Sequence, residues 1–221
     1  MAETVKILMT EFVTHDVKSF LVERPAGYEF APGQATEVSI NLPGYEKKKR
    51  PFTFTSLAED LVLGFTIKAY PEHEGVTKKL HELKPGDELI VRDVWGAITY
   101  TGPGVFLAGG AGITPFLAIL RRLRQDGKLA GNRLIFSNKT ARDVILEGEL
   151  REMLGDDLLL TLTRAEAPGY LTGRIDRPLL TEHVKDFSQP FYVCGPDPFV
   201  ADVTAALKDL GAEADSIVIE T

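Results

Sequence analysis

Val105-Phe106-Leu107-Ala108, four apolar residues in a row, runs directly into Gly109-Gly110-Ala111-Gly112-Ile113-Thr114-Pro115 and then into an apolar-periodic stretch from Phe116 to Leu123. A wholly apolar strand is one buried on both faces, and a glycine turn leading from such a strand into a helix opens a βαβ unit. Glycine lets the backbone approach a phosphate group, the helix start supplies free amides and partial positive charge, and proline suits a first helical turn. Pro115 occupies the last position of the G-x-G-x-x-G pattern, so the turn is not that fingerprint. It also lacks the Lys-Ser/Thr of a P-loop, which argues against a nucleoside triphosphatase.

The alternation continues downstream. Strands are predicted at Arg133 to Ser137, Leu158 to Thr163, Phe191 to Cys194 and Ile217 to Ile219, with helical segments around Leu146 to Met153, Ile175 to His183 and Pro198 to Leu210. Five strands joined by helical crossovers form a parallel sheet, and ligands on such sheets lie at the carboxyl ends of the strands. Those ends are Gly109 to Thr114, Asn138-Lys139, Thr163-Arg164, Cys194-Gly195-Pro196 and Glu220.

Upstream of Thr101-Gly102-Pro103-Gly104 the pattern is different. Short β-rich runs (Val5 to Val13, Val17 to Glu23, Thr36 to Leu42, Arg50 to Ser56, Leu61 to Tyr70, Glu88 to Arg92) are separated by Pro-Gly turns at Pro32, Pro43 and Pro85. This predicts an antiparallel β-barrel or sandwich. The fold class is therefore two-domain: an antiparallel β-barrel over residues 1–101, then a parallel α/β domain over residues 102–221.

Two stretches of the first half carry chemistry. In Arg50-Pro51-Phe52-Thr53-Phe54-Thr55-Ser56, strand alternation puts Arg50, Phe52, Phe54 and Ser56 on one face. That run is either a plain barrel strand or one that binds a flat, phosphorylated cofactor. The second is Gly75-Val76-Thr77, ahead of Leu80 and Leu83 at helical spacing, which predicts a short helix with Thr as its cap; its start is either an ordinary cap or an anion site.

The formal charge of -7 argues against nucleic acid as the main partner. Lys47-Lys48-Lys49-Arg50 is the one strongly basic cluster, either a solvated loop or a docking edge for an acidic partner or a cofactor phosphate. A single cysteine, Cys194, excludes an internal disulfide, a Cys-rich zinc site and a thiolate-bound iron–sulfur cluster, and the four histidines show no metal-ligand spacing. Redox chemistry in this chain would come from an organic cofactor. No run approaches the ~18 apolar residues of a membrane-spanning helix and no leader pattern is present, so a cytoplasmic protein is expected.

Taken in order, Arg50-Pro51-Phe52-Thr53 with Ser56, Gly75-Val76-Thr77, Gly109 to Pro115 and Cys194-Gly195-Pro196 resemble the ferredoxin-NADP reductase family, of the flavodoxin and ferredoxin reductase type. The resemblance covers nearly the whole chain. It implies FAD on the barrel and NADPH or NADH on the α/β domain. Arg50 would pair with the FAD diphosphate, Phe52 would pack against the isoalloxazine and Thr53 would lie by flavin N5, with Pro51 and Ser56 also counted among the cofactor-binding residues. Ile67, Lys68 and Ala69 would run along the pyrimidine edge, while Gly75, Val76 and Thr77 would hold phosphates. Gly110, Gly112 and Thr114 would cradle the dinucleotide, with Cys194, Gly195, Pro196 and Glu220 near the nicotinamide. Thr163-Arg164 resembles the Ser-Arg pair that holds the 2′-phosphate of NADP, so NADPH is favoured, although Glu166 keeps NADH in play. Thr53, Cys194 and Glu220 are the catalytic candidates; no metal is implied.

Three positions depart from the family pattern. Phe52 replaces a Tyr and so lacks its hydroxyl, Phe199 replaces a Met after Cys-Gly-Pro, and the sequence ends at Glu220-Thr221 without a terminal aromatic. The flavin face is then left open to the nicotinamide or covered by Trp95 or another aromatic, and Tyr70 is available to stack on adenine. The activity implied is hydride transfer between NAD(P)H and flavin N5, with electrons exchanged with a small carrier such as ferredoxin or flavodoxin. The alternatives are an NAD(P)H:flavin reductase releasing free reduced flavin and a non-turnover electron-transfer subunit.

Overall fold

The computed structural model describes residues 2–70, 75–96 and 98–219. The first half forms β1 (Glu3–Phe12), β2 (Val17–Glu23), β3 (Gln34–Ile40), β4 (Arg50–Thr53), β5 (Val62–Lys68), α1 (Val76–Glu82) and β6 (Glu88–Gly96). These strands make one curled antiparallel sheet in the order β4-β3-β6-β1-β2-β5. Its inner face is apolar: Phe20, Phe54, Phe65, Ile40 and Leu63 are fully buried, each contributing about 1.5–3 kcal/mol over an exposed position. The Phe30 and Phe54 rings stack at 4.2 Å within this core.

The stretch predicted as one strand to Ser56 stops pairing with β3 at Thr53. Beyond it the Thr55 amide donates to the Gly64 carbonyl, 2.8 Å, and the Gly64 amide donates to Ser56 Oγ, 2.9 Å. The chain thus changes partners from β3 to β5, which joins the two outer strands of the sheet and ends the simple alternation. Helix α1 also differs in its start. Gly75, in extended conformation, is the residue before the first turn, and Thr77 lies inside it. At the other end the buried Lys18 ammonium donates to the carbonyls of His81 (3.1 Å) and Leu83 (2.6 Å), satisfying acceptors that a helix end leaves open.

The second half forms β7 (Val105–Gly109), α2 (Thr114–Gln125), β8 (Arg133–Asn138), α3 (Glu147–Leu154), β9 (Leu158–Leu162), β10 (Leu171–Thr172), α4 (Arg177–His183), β11 (Phe191–Cys194), α5 (Asp197–Asp209) and β12 (Ile217–Ile219). All pairings in this sheet are parallel, in the order β10-β9-β8-β7-β11-β12. The sheet has six strands where five were expected, because the two residues of β10 are too few to carry a periodic signal. Helices cover both faces. One core holds Phe106, Phe116, Leu120 and Phe136, the other Leu107, Ile135, Phe191 and Leu207.

The two halves share buried surface. Val17 and Ile98, from the first half, lie in the core with Phe116 and Ile119. Arg121 on α2 holds Glu149 through two bonds, 2.6 and 2.8 Å, and also donates to the Thr55 carbonyl. The connection between halves is fixed by Tyr192, whose hydroxyl accepts from the Thr101 and Gly102 amides and donates to the Gly102 carbonyl at 2.7 Å. Among the described residues no helix is long and apolar enough to cross a membrane.

Candidate active site between the two sheets

The order of the parallel sheet reverses at β7, whose neighbours are β8 and β11. At such a switch point the loops leaving the two central strands diverge and open a crevice, the place where open α/β sheets bind ligands. Here the crevice is closed on its far side by the curled sheet, giving a cavity of about 710 Å³, within the range of small-molecule sites.

The curled sheet supplies Pro51, Phe52 and Thr53 from β4, Thr66, Ile67 and Lys68 from β5, and Thr77, Tyr70 and Trp95 around them. Thr53 is buried among these groups with its strand held to Ala35. Ile67 is held from behind: His81 Nε2 sits 2.8 Å from its carbonyl oxygen, and burial lowers the His81 pKa below its ordinary value of 6.5 despite that bond. The neutral ring, with Nε2 as donor, fits this contact. Lys68 forms an ion pair with Asp16 at 2.8 Å. Burial pushes the Asp16 carboxyl up, but the Lys68 ammonium bonded to it, with Thr14, outweighs that and leaves it below the usual carboxylate range.

The parallel sheet supplies the opposite wall from its strand ends: Gly109 to Gly112 with Thr114, then Ser137 to Lys139, Asp143 and Thr163, then Cys194 to Pro196 with Phe199. Gly110 has φ +53° and opens a single 3-10 turn that leads into α2. Gly112 passes so close to β11 that a Cβ there would lie 2.2 Å from the Cys194 carbonyl oxygen. A turn pressed this tightly between two strands, with its glycine surface facing the crevice, fits a backbone cradle for a phosphate-bearing ligand. Phe199 packs its ring over Gly109 and Gly195, so the residue in place of the family methionine forms part of the wall.

Of the residues singled out from sequence, Pro51, Phe52, Thr53, Ile67, Lys68, Thr77, Gly110, Gly112, Thr114, Thr163, Cys194, Gly195 and Pro196 converge on this one cavity. Arg50, Ser56, Ala69, Gly75, Val76 and Arg164 do not line it. Arg50 is exposed and donates to the Lys49 carbonyl, and Val76 is in the barrel core. Glu220 and His73 lie outside the described residues. Thr66, Ser137 and Asp143 were not singled out from sequence. Thr66 is two residues from Lys68 on β5 and so shares its face, and Ser137 is at a strand end; Asp143 had no sequence signal beyond its capping distance from Thr140.

A parallel nucleotide-type sheet whose switch point faces a curled antiparallel sheet across one cavity defines the class of two-domain flavin and pyridine-nucleotide reductases. The oxidoreductase NAD-binding domain family matches residues 106–205. NADH-cytochrome b5 reductase 1 of Aspergillus terreus is 30% identical over 225 residues, covering 90% of this chain and 74% of that protein. The reductase component of propane 2-monooxygenase from Rhodococcus jostii is 26% identical, covering 96% of this chain but 61% of that protein. Among solved structures, the CS-b5R domains of human Ncb5or in the NAD+ form superpose with a TM-score of 0.85 at 25% identity, covering all of this chain and 70% of that one. A ferredoxin NADP+ reductase from Neisseria gonorrhoeae with bound FAD and NADP shares the fold, with a TM-score of 0.83 at 23% identity over 95% of this chain and 92% of that one. The chain belongs to the ferredoxin-NADP reductase-type family of flavin reductases.

Proposed function

We propose that this protein is an FAD-dependent NAD(P)H oxidoreductase that passes electrons to a small carrier, with ferredoxin or flavodoxin as the first partners to test and a cytoplasmic setting. The observation that carries this reading is the single cavity shared by two differently built sheets, one walled by Phe52 and Thr53 and the other by the Gly110–Thr114 turn and Cys194. When bound, flavin and nicotinamide supply the redox chemistry, a hydride passing between nicotinamide and flavin N5 and electrons leaving the flavin singly. The protein's contribution is alignment, which makes an encounter of two molecules effectively intramolecular.

Thr53 offers its hydroxyl to the heteroatom edge of the flavin, and the Phe52 ring packs against the isoalloxazine. The Ile67 backbone, held from behind by His81, runs along the pyrimidine edge, while Thr77 and the start of α1 face the phosphates. Gly110 and Gly112 let the dinucleotide backbone approach α2, and Cys194 stands at the nicotinamide. In this reading the boundary at 101/102 separates a flavin-holding module from a nucleotide-holding one.

NADPH is the favoured donor. Two cations support this: Lys139 in the cavity wall and Arg164, whose amide donates to the Lys139 carbonyl at 2.9 Å. Ferricyanide reduction by the FAD-loaded protein tests the preference. Lys139→Ala and Arg164→Ala are expected to raise KM for NADPH by about tenfold each while leaving KM for NADH within about twofold, as loss of a charged bond to one phosphate requires. Equal effects on both donors would remove the 2′-phosphate role from this corner.

A further inference from the structure

Trp95, the single tryptophan of the sequence, stands near the end of β6 and is half-buried, yet among the described residues it belongs to none of the three apolar cores. Its indole N–H has no hydrogen-bond partner among them and is not sealed in the interior. Large aromatic side chains dominate the energetics of cores, and a buried indole usually finds a partner for its N–H. Trp95 does neither, and lines the cavity instead.

The curled sheet fixes what Trp95 faces. It lies directly opposite Ala35 on β3, and Ala35 lies directly opposite Thr53 on β4, so the three side chains form one row on one face. That face is the outer one, because the flanking Phe52, Phe54 and Val94 pack into or against the barrel core. The middle of the row is a methyl group, 1% exposed, and two strand spacings of about 4.8 Å separate the backbones of Thr53 and Trp95. A flat ring system laid beside Thr53 therefore reaches the indole, with only Ala35 between. The other described aromatic side chains of the cavity wall stand elsewhere. Phe52 packs against the barrel core, Phe199 covers Gly109 and Gly195 on the nucleotide wall, and Tyr70 follows β5 and is 46% exposed.

We propose that Trp95 clasps the ring system of the bound flavin: its indole packs on the isoalloxazine beside the Thr53 contact and keeps the flavin on the protein between turnovers. The inference rests on the flavin reading of the curled sheet and adds to it the residue that decides retention. The class of ligand follows from the residue types. Indole, methyl and a short hydroxyl form an apolar platform with one polar edge, which suits a planar heteroaromatic ring and offers no cation to a phosphate. A retained flavin serves a reductase that feeds a carrier, whereas a flavin let go after reduction serves the alternative of free-flavin release.

The test compares Trp95→Phe, Trp95→Ala and Tyr70→Phe with the parent, each loaded with FAD. An indole in contact with a flavin gives an electron to the photoexcited ring and takes it back, which darkens the flavin emission; phenylalanine does not. Bound FAD is therefore expected to be dim in the parent and in Tyr70→Phe and several times brighter in Trp95→Phe, a signature that a merely structural tryptophan would not give. Trp95→Ala should raise the dissociation constant about tenfold for FAD and for riboflavin alike, since riboflavin keeps the ring and lacks the diphosphate. Bound flavin as dim in Trp95→Phe as in the parent, or a rise in Trp95→Ala for FAD with none for riboflavin, overturns the proposal. If Trp95→Ala does not fold, the brightness comparison decides alone. A parent protein that takes up no flavin would instead refute the functional reading itself, before any variant is compared.

Discussion

At Gly112 the space available is set by another strand, and that makes it the sharpest single-residue test of the nucleotide wall. A methyl group there would have to displace the Cys194 carbonyl, 2.2 Å away, so Gly112→Ala should cost about 1–3 kcal/mol of stability and raise KM for the nucleotide while flavin remains bound. Urea unfolding with flavin absorbance as the probe reads the first, and initial rates of ferricyanide reduction against nucleotide concentration read the second. His81 gives a pH dependence with a defined sign. Burial depresses its pKa in the folded state below 6.5, so the unfolded chain binds more protons just below that pH and stability falls as pH drops through that window. Melting curves between pH 7.5 and 5 should show this loss, and His81→Gln should flatten it; an unaltered slope in that variant would assign the titration to another group. Gly110, Gly112 and Gly195 were legible because one takes a positive φ and the other two leave no room for a Cβ, whereas Gly75, equally a glycine before a helix, does not line the cavity. Ser137 and Asp143 were not, since a short polar residue at a strand end looks the same in sequence whether it faces a cavity or solvent.

Elements were legible where periodicity runs long and obscure where the chain changes partner. The apolar strand, glycine turn and helix from Val105 to Leu123 need no tertiary information to be recognised, and they appear as β7, a 3-10 turn and α2, the last running on to Gln125. The strand predicted to Ser56 ends at Thr53, because the switch of pairing to β5 is made by the Thr55 amide and the Ser56 hydroxyl, neither of which alters the β-prone side-chain pattern. That switch also carries a long-range tie. Arg121 on α2 reaches the Thr55 carbonyl while holding Glu149 with both ends of its guanidinium, so one side chain links the strand that bears Thr53 to the helix that follows the glycine turn. Arg121→Met, which keeps the stem and removes the charge, should destabilise by about 1.5–3 kcal/mol and weaken flavin retention. A variant that matches the parent in both urea midpoint and flavin affinity would show the tie to be superficial.

For the whole molecule, two sheets with opposite strand logic meet at one cavity, and neither wall alone could bring two cofactors together. The division of the chain was legible from the change in pattern at Thr101-Gly102-Pro103-Gly104, whereas the packing across it was not. Val17 and Ile98 belong to the first half by sequence but are buried in the core with Phe116, so the halves are joined by shared apolar surface and not by the connection alone. This joint is what an alignment mechanism requires. The most direct test of that mechanism is an absorption spectrum of the FAD-loaded protein followed through anaerobic addition of NADPH. The account predicts the two visible bands of a bound oxidised flavin, bleached fully by about one equivalent of nucleotide. A protein that takes up no flavin, or a bound flavin that stays oxidised with excess NADPH and NADH, would contradict it.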